Sequence, residues 1–158
     1  MVETAGYFSV VVLCLVVSMA IFELVTKYKN WQEIKNGNVA VALATGGKIL
    51  GVCNIFRYSI SQHTSLLEML GWGLFGFTLL IFAYILFEFF TPKFKVDEEI
   101  ANDNRSVGFI SFTISLGLSF VIGASIGAWG DNMKRLAIVL SVVAAIFLLI
   151  GIYYVVTA

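Results

Sequence analysis

Apolar positions in this chain fall in long unbroken blocks rather than in alternation. The blocks cover residues 6–25, 39–60, 66–90, 106–126 and 136–156, separated by short polar connections. Each is about 20 residues long, the length a helix needs to cross the hydrocarbon core of a bilayer. The pattern predicts an all-α integral membrane bundle of five transmembrane helices.

Polar positions at the block edges recur. Phe22-Glu23-x-x-Thr26 is followed by Glu33-Ile34-x-Asn36-x-Asn38, and Phe87-Glu88-x-x-Thr91 by Glu99-Ile100-x-Asn102-x-Asn104. Glu23 and Glu88 are 65 positions apart, and Glu33 and Glu99 are 66 apart, so one residue was gained between them. The expectation is a duplicated membrane domain over residues 1–126, with repeat one at about 6–60 and repeat two at about 66–126. Two spans per unit preserve orientation, so the copies should lie parallel. Residues 134–157 have no counterpart and read as an appended transmembrane helix.

Composition supports the same class. The chain is 59% hydrophobic and 13% charged with zero formal net charge, against about 25% charged residues in a soluble domain. No basic stripe is available to neutralise phosphates, which excludes nucleic acid as a partner. Cys14 and Cys53 lie within apolar blocks and read as small packing residues rather than a disulfide framework. Glu3 stands where a cleaved signal peptide would carry positive charge, so the first block is expected to remain as an anchor.

Lys27, Lys29 and Lys35 follow the first span, and Lys93, Lys95 and Arg105 lie in the second connection of the same side. The positive-inside rule then places both connections in the cytoplasm, the N-terminus outside and the C-terminus inside. Tyr28, Trp31 and Ile34 are three apart and suit a short helix resting on headgroups, with Asn30 and Glu33 as its capping box and Gly37 ending it.

Two stretches carry packing signals. Gly47 and Gly51 in the second span make a small-xxx-small pair, and that span is expected to be continuous despite Gly46 beside it. Ser111, Ser115, Ser119, Gly123 and Gly127 place a small residue at every fourth position of the fourth span. Such stripes let helix backbones approach closely, within the chain or between copies. Gly71-Trp72-Gly73-Leu74-Phe75-Gly76 formally matches G-x-G-x-x-G, but no strand precedes it and the dinucleotide reading is rejected. Asp97, Glu98, Glu99 and Asp103 read as a charged turn rather than a cation site.

Ionisable groups inside or bordering the spans are Glu23, Lys48, Arg57, Glu68 and Glu88. Buried charges in a membrane are costly and mark obligatory pairing or function. Lys48 begins roughly 14 Å above the start of its helix and leans back toward that end. Pairs of Lys48 with Glu23 or Glu88, and of Arg57 with Glu68, are therefore expected.

The repeated edge motif, with Gly37-Asn38-Val39-Ala40-Val41-Ala42-Leu43, Gly46-Gly47-Lys48-Ile49-Leu50-Gly51, Leu70-Gly71-Trp72-Gly73 and Phe87-Glu88-Phe89-Phe90-Thr91-Pro92-Lys93-Phe94-Lys95-Val96, resembles the bacterial YshE/YjfL family. The resemblance covers roughly the first 126 residues. It implies a small bacterial inner-membrane protein built from a duplicated two-span unit, classed as a domain of unknown function, with no catalytic residues to carry over. The fifth span departs from the four-span pattern of that family.

The function expected is therefore non-enzymatic: a multi-pass component that assembles with itself or with another membrane protein, in contact with the lipid bilayer and without metal or cofactor. A small ion or solute channel using Lys48, Glu23 and Glu88 is the alternative. An enzyme is not expected, because no nucleophile–base pair or metal-ligand spacing is present.

Overall fold

The structure is a computed structural model and describes residues 2–62, 65–91 and 95–127. Six helices follow in order: α1 (Val2–Val25), α2 (Asn30–Lys35), α3 (Val39–Gln62), α4 (Leu66–Phe90), α5 (Val96–Ala101) and α6 (Arg105–Gly127). Long–short–long thus occurs twice, and no strand is present among the described residues. The long helices have 24, 24, 25 and 23 residues. At 1.5 Å per residue each is about 34–38 Å long, enough to cross a hydrocarbon core of about 30 Å. The appended helix read at residues 134–157 lies outside the described residues.

Helix ends are set by the recurring polar motif. The Thr26 hydroxyl donates to the Phe22 carbonyl at the end of α1, and Thr91 donates to Phe87 at the end of α4. Past α2, Gly37 takes φ +89 and the N–H groups of Gly37 and Asn38 return to the carbonyls of Ile34 and Glu33. Past α5, Asp103 takes φ +59, and the N–H groups of Asp103 and Asn104 return to Ile100 and Glu99. Both are the two-bond helix stop that a left-handed residue permits. Asn36 and Asn102 are the C-caps of these short helices. Asn38 and Asn104 then cap the next long helices, their side-chain oxygens accepting from the N–H groups of Val41 and Val107. The capping box expected at Asn30 does not form. Lys29 is the N-cap of α2, and the Asn30 carboxamide turns inward to accept from the Thr45 hydroxyl.

α3 is one unbroken helix at the centre of the bundle, with Val41, Val52, Ile55 and Phe56 fully buried. Its closest neighbour is α6, and small residues are the reason. A Cβ added at Gly47 would lie 2.5 Å from the Phe112 Cα, and one at Gly108 would lie 2.6 Å from the Ala40 Cα. Gly51 faces the Ser115 carbonyl, the Asn54 amide donates to the Ser119 hydroxyl at 3.0 Å, and Gly123 receives the Tyr58 ring. Residue numbers rise together along both helices, so α3 and α6 run parallel. The serine stripe is consumed inside the chain: Ser111, Ser115 and Ser119 are all buried against this seam, and Gly127 closes α6. Gly73 and Gly76 of α4 make room for the side chains of Phe56 and Ile55, while Gly71 faces open space. α1 packs against the core through Met19 and Phe22 and exposes Phe8, Leu13, Val16 and Leu24. In a bilayer such apolar faces meet acyl chains.

Candidate functional site

The two connections between long helices meet at one end of the bundle and are stitched together by polar groups. The Lys27 N–H donates to Asp97 at 3.0 Å, and the Asn38 carboxamide donates to the carbonyls of Ile100 and Ala101 at 3.2 and 2.9 Å. The Ala40 N–H donates to Asp103 at 2.9 Å. Val96 and Ile100 of α5 and Tyr28 of the first connection pack on Ala40, Val41 and Ala44 of α3 beneath this stitching. Each connection thus helps to cap or hold the other, which neither could do alone.

Lys48 points into this end of the molecule. It is wholly buried in the third turn of α3. Helical side chains slant toward their own N-terminus, so its ammonium reaches the connections rather than the middle of the bundle. Nζ donates to the Tyr28 hydroxyl at 3.2 Å. It also lies 5.3, 5.3 and 4.6 Å from the ring centroids of Phe22, Tyr28 and Tyr84, close enough for cation–π attraction to all three. The Tyr84 hydroxyl donates to one oxygen of the buried Asp97 carboxylate, whose other oxygen holds the Lys27 N–H. Burial raises the Tyr28 hydroxyl well above its ordinary range, and the charge of Asp97 raises it further. Tyr28 is therefore a neutral phenol, able to donate and accept.

The expected charge pairs are made otherwise. Lys48 makes no ion pair with Glu23 or Glu88: its ammonium donates to the Tyr28 phenol. Glu88 instead takes Lys27 at 3.4 Å, leaving its second oxygen buried without a partner. Glu23 is half-buried on α1 and forms no ion pair among the described residues. Arg57 donates to Asn54 at 3.2 Å and lies over the Tyr58 ring, whereas Glu68 is exposed in the first turn of α4, its N–H donating to Ser65. Both are exposed, and they form no ion pair with one another among the described residues.

The acidic residues of the second connection are likewise dispersed. Glu98 pairs with Lys95, Glu99 accepts from Asn104, and Asp103 takes both Ala40 and Arg105. No cluster of metal-ligating side chains occurs among the described residues. Asp103 is held below its ordinary value of 3.8, first by the Ala40 N–H and also by Arg105. A carboxylate favoured in the folded state contributes its full share above the unfolded value, and that share is lost as pH falls through the lower folded value. Thermal unfolding in detergent from about pH 5 to about pH 2 should therefore show a loss below the value of 3.8 that Asp103→Asn reduces. An identical acid limb in both proteins would show that this cap carries no pH dependence.

Four long apolar helices with a buried charge network at one end define a multi-pass helical membrane protein. A family described as Domain of Unknown Function (DUF350) matches residues 1–126, and the chain belongs to it. The chain is similar to the UPF0719 transmembrane protein YshE of Bacillus subtilis (strain 168). They are 65% identical over 126 residues, 80% of this chain and 94% of that protein. It is also similar to the UPF0719 inner membrane protein YjfL of Escherichia coli (strain K12), 25% identical over 112 residues, 71% of this chain and 83% of that protein. No solved structure matches the chain. The family's function is unknown, and neither its description nor these names carries an enzymatic activity.

Proposed function

We propose that the protein is a non-enzymatic membrane component that docks with a second membrane protein or a second copy of itself, using the end at which its two connections meet. The observation that carries this reading is the stitching of that end by Asp97, Asn38 and Asp103, which makes a fixed platform of two short helices. A fixed surface binds with little loss of conformational freedom. On it stand Trp31, 56% exposed, and the exposed charges of Lys27, Lys29, Lys35, Lys95 and Glu98.

The charge distribution supports placing this platform in the cytoplasm and the N-terminus outside, as the positive-inside rule requires. The recurrence of helix stops and asparagine caps 66 positions apart supports a duplicated two-span unit as its origin. The small-residue seam does not serve docking in this reading, because it is spent between α3 and α6.

Site-specific photo-crosslinking in the native membrane tests the proposal. Probes at Trp31 and Lys95 are expected to give discrete protein adducts, and a probe at lipid-facing Phe8 to give none. Adducts at Phe8 alone, or none at Trp31 and Lys95, would refute it. The purified protein in liposomes is expected to pass no selective current, whereas a current abolished by Lys48→Met would favour a channel.

A further inference from the structure

Arg57 is held in place near the end of the bundle opposite the platform, and no carboxylate among the described residues meets it. Its Nε donates to the Asn54 side-chain oxygen at 3.2 Å, and the guanidinium lies 4.4 Å from the centroid of the Tyr58 ring. Both supports are themselves tied to α6. The Asn54 amide donates to the Ser119 hydroxyl at 3.0 Å, and the Tyr58 ring is seated on Gly123. Glu68, the acid expected to answer this cation, belongs to a helix on another side of α3. Ser59 holds the Met69 carbonyl of α4 at 2.7 Å, and two residues turn a helix by about 200°, so Arg57 faces away from α4.

The level of Arg57 in the membrane makes the missing anion matter. α3 ends at Gln62, 62 − 57 = 5 residues further on, so the Arg57 Cα lies about 7.5 Å inside the helix end. Its side chain turns back to Asn54, three residues earlier, rather than out toward water. With α3 centred on a hydrocarbon core of about 30 Å, the guanidinium stands beneath the boundary between acyl chains and headgroups. A cation at that level is costly without an anion beside it. Inward from Arg57, Cys53, Leu50 and Gly46 continue the same helix face at steps of four, three and four residues. Leu50 is 47% exposed, and a Cβ at Gly46 would meet nothing within 4 Å, so this face is open to lipid.

We propose that Arg57 holds the phosphodiester of a membrane phospholipid in the leaflet opposite the platform. Nε is spent on Asn54, which leaves the two terminal nitrogens to donate side by side to phosphate oxygens, as a guanidinium fork allows. One acyl chain of that lipid lies along Cys53, Leu50 and Gly46. The phosphate, drawn to this level, supplies the anion that the described part of the chain does not. The site stands at the other end from the docking platform and does not depend on it.

Native mass spectrometry of the whole protein, delipidated in mild detergent and titrated with phosphatidylglycerol, tests the proposal. Arg57→Gln is expected to bind this lipid about tenfold more weakly than the unaltered protein, the usual effect of losing hydrogen bonds between charged groups. Arg57→Lys keeps the charge without the fork, is expected to lose part of that affinity, and serves should Arg57→Gln fail to fold. A diacylglycerol glucoside, with the same chains and no phosphate, is expected to bind all three proteins alike. Equal binding of phosphatidylglycerol to the unaltered protein and to either folded variant would overturn the proposal. So would the same loss with the glucoside, or lipid adducts displaced by inorganic phosphate, which would make the ligand the free ion.

Discussion

Asp97→Ala is expected to destabilise the folded protein by about 3–5 kcal/mol, the usual cost of leaving a buried charge without its partner. Lys48 is 0% exposed and Asp97 2% exposed, and the Tyr84 ring that lies under the Lys48 ammonium donates its hydroxyl to Asp97. Without it, the ammonium keeps one phenol and three ring faces but no anion. Loss of Asp97 also frees the Tyr84 hydroxyl and the Lys27 N–H, so two further hydrogen bonds go with the charge. Lys48→Met should cost less, because methionine fills the same volume and the Asp97 carboxylate keeps its hydrogen bonds from the Tyr84 hydroxyl and the Lys27 N–H. The double variant Lys48→Met/Asp97→Ala should then recover at least half of the loss, since neutral groups often replace a buried ion pair at little cost. Equilibrium denaturation of the four proteins in the same detergent forms the cycle. Strict additivity of the two single changes would show that the two charges do not depend on one another.

The second large effect concerns the α3–α6 seam. Gly47→Leu is expected to prevent formation of the native bundle, and Gly47→Ala to cost about 1–3 kcal/mol. The obstacle is backbone: the new Cβ meets the Cα and carbonyl of Phe112, which no rotamer change can move away. The helices would have to separate along their length, breaking the Asn54–Ser119 bond and opening the contacts at Gly51 and Gly108. Gly46→Ala is the matched control, one position away with nothing within 4 Å of the added carbon. There a better helix former should be neutral or gain up to about 1 kcal/mol. Thermal unfolding of the two alanine variants separates these outcomes. Equal midpoints would mean that the seam is looser than its geometry requires.

Length, hydropathy and the recurring motif were enough to establish four of the helices, the connections between them and the stop at Gly37, but not the short helix α5 or its stop at Asp103. Those features are local. A run of about 20 apolar residues has one stable form in lipid, and a glycine or aspartate at positive φ followed by asparagine ends one helix and caps the next. The close approach at Gly47, Gly51 and the serine stripe was also legible, because only small residues admit it. That the stripe faces α3 within the chain, rather than another copy, was not.

The charge network required the tertiary structure. Pairing Lys48 with Glu23 or Glu88 followed from depth alone, which ranks groups along the membrane normal but says nothing of which helix face they share. Asp97 was read as one of four acids on a solvated turn, and Tyr28 as part of an interfacial belt, because nothing local distinguishes an inward acid or phenol from an outward one. One signal was available. At an offset of 66, Lys48 corresponds to Ile114 and Asp97 to Trp31, and at 65, Tyr84 corresponds to Met19. These three buried groups stand where the two halves differ, whereas the asparagines at the helix stops, Asn36 with Asn102 and Asn38 with Asn104, stand where they agree. The sequence by itself determined the spans and their ends, since these depend on neighbours along the chain. Only the packing of α3 against α1, α4 and α5 decided which charge each buried group answers, because that choice is made between residues that are far apart in the chain.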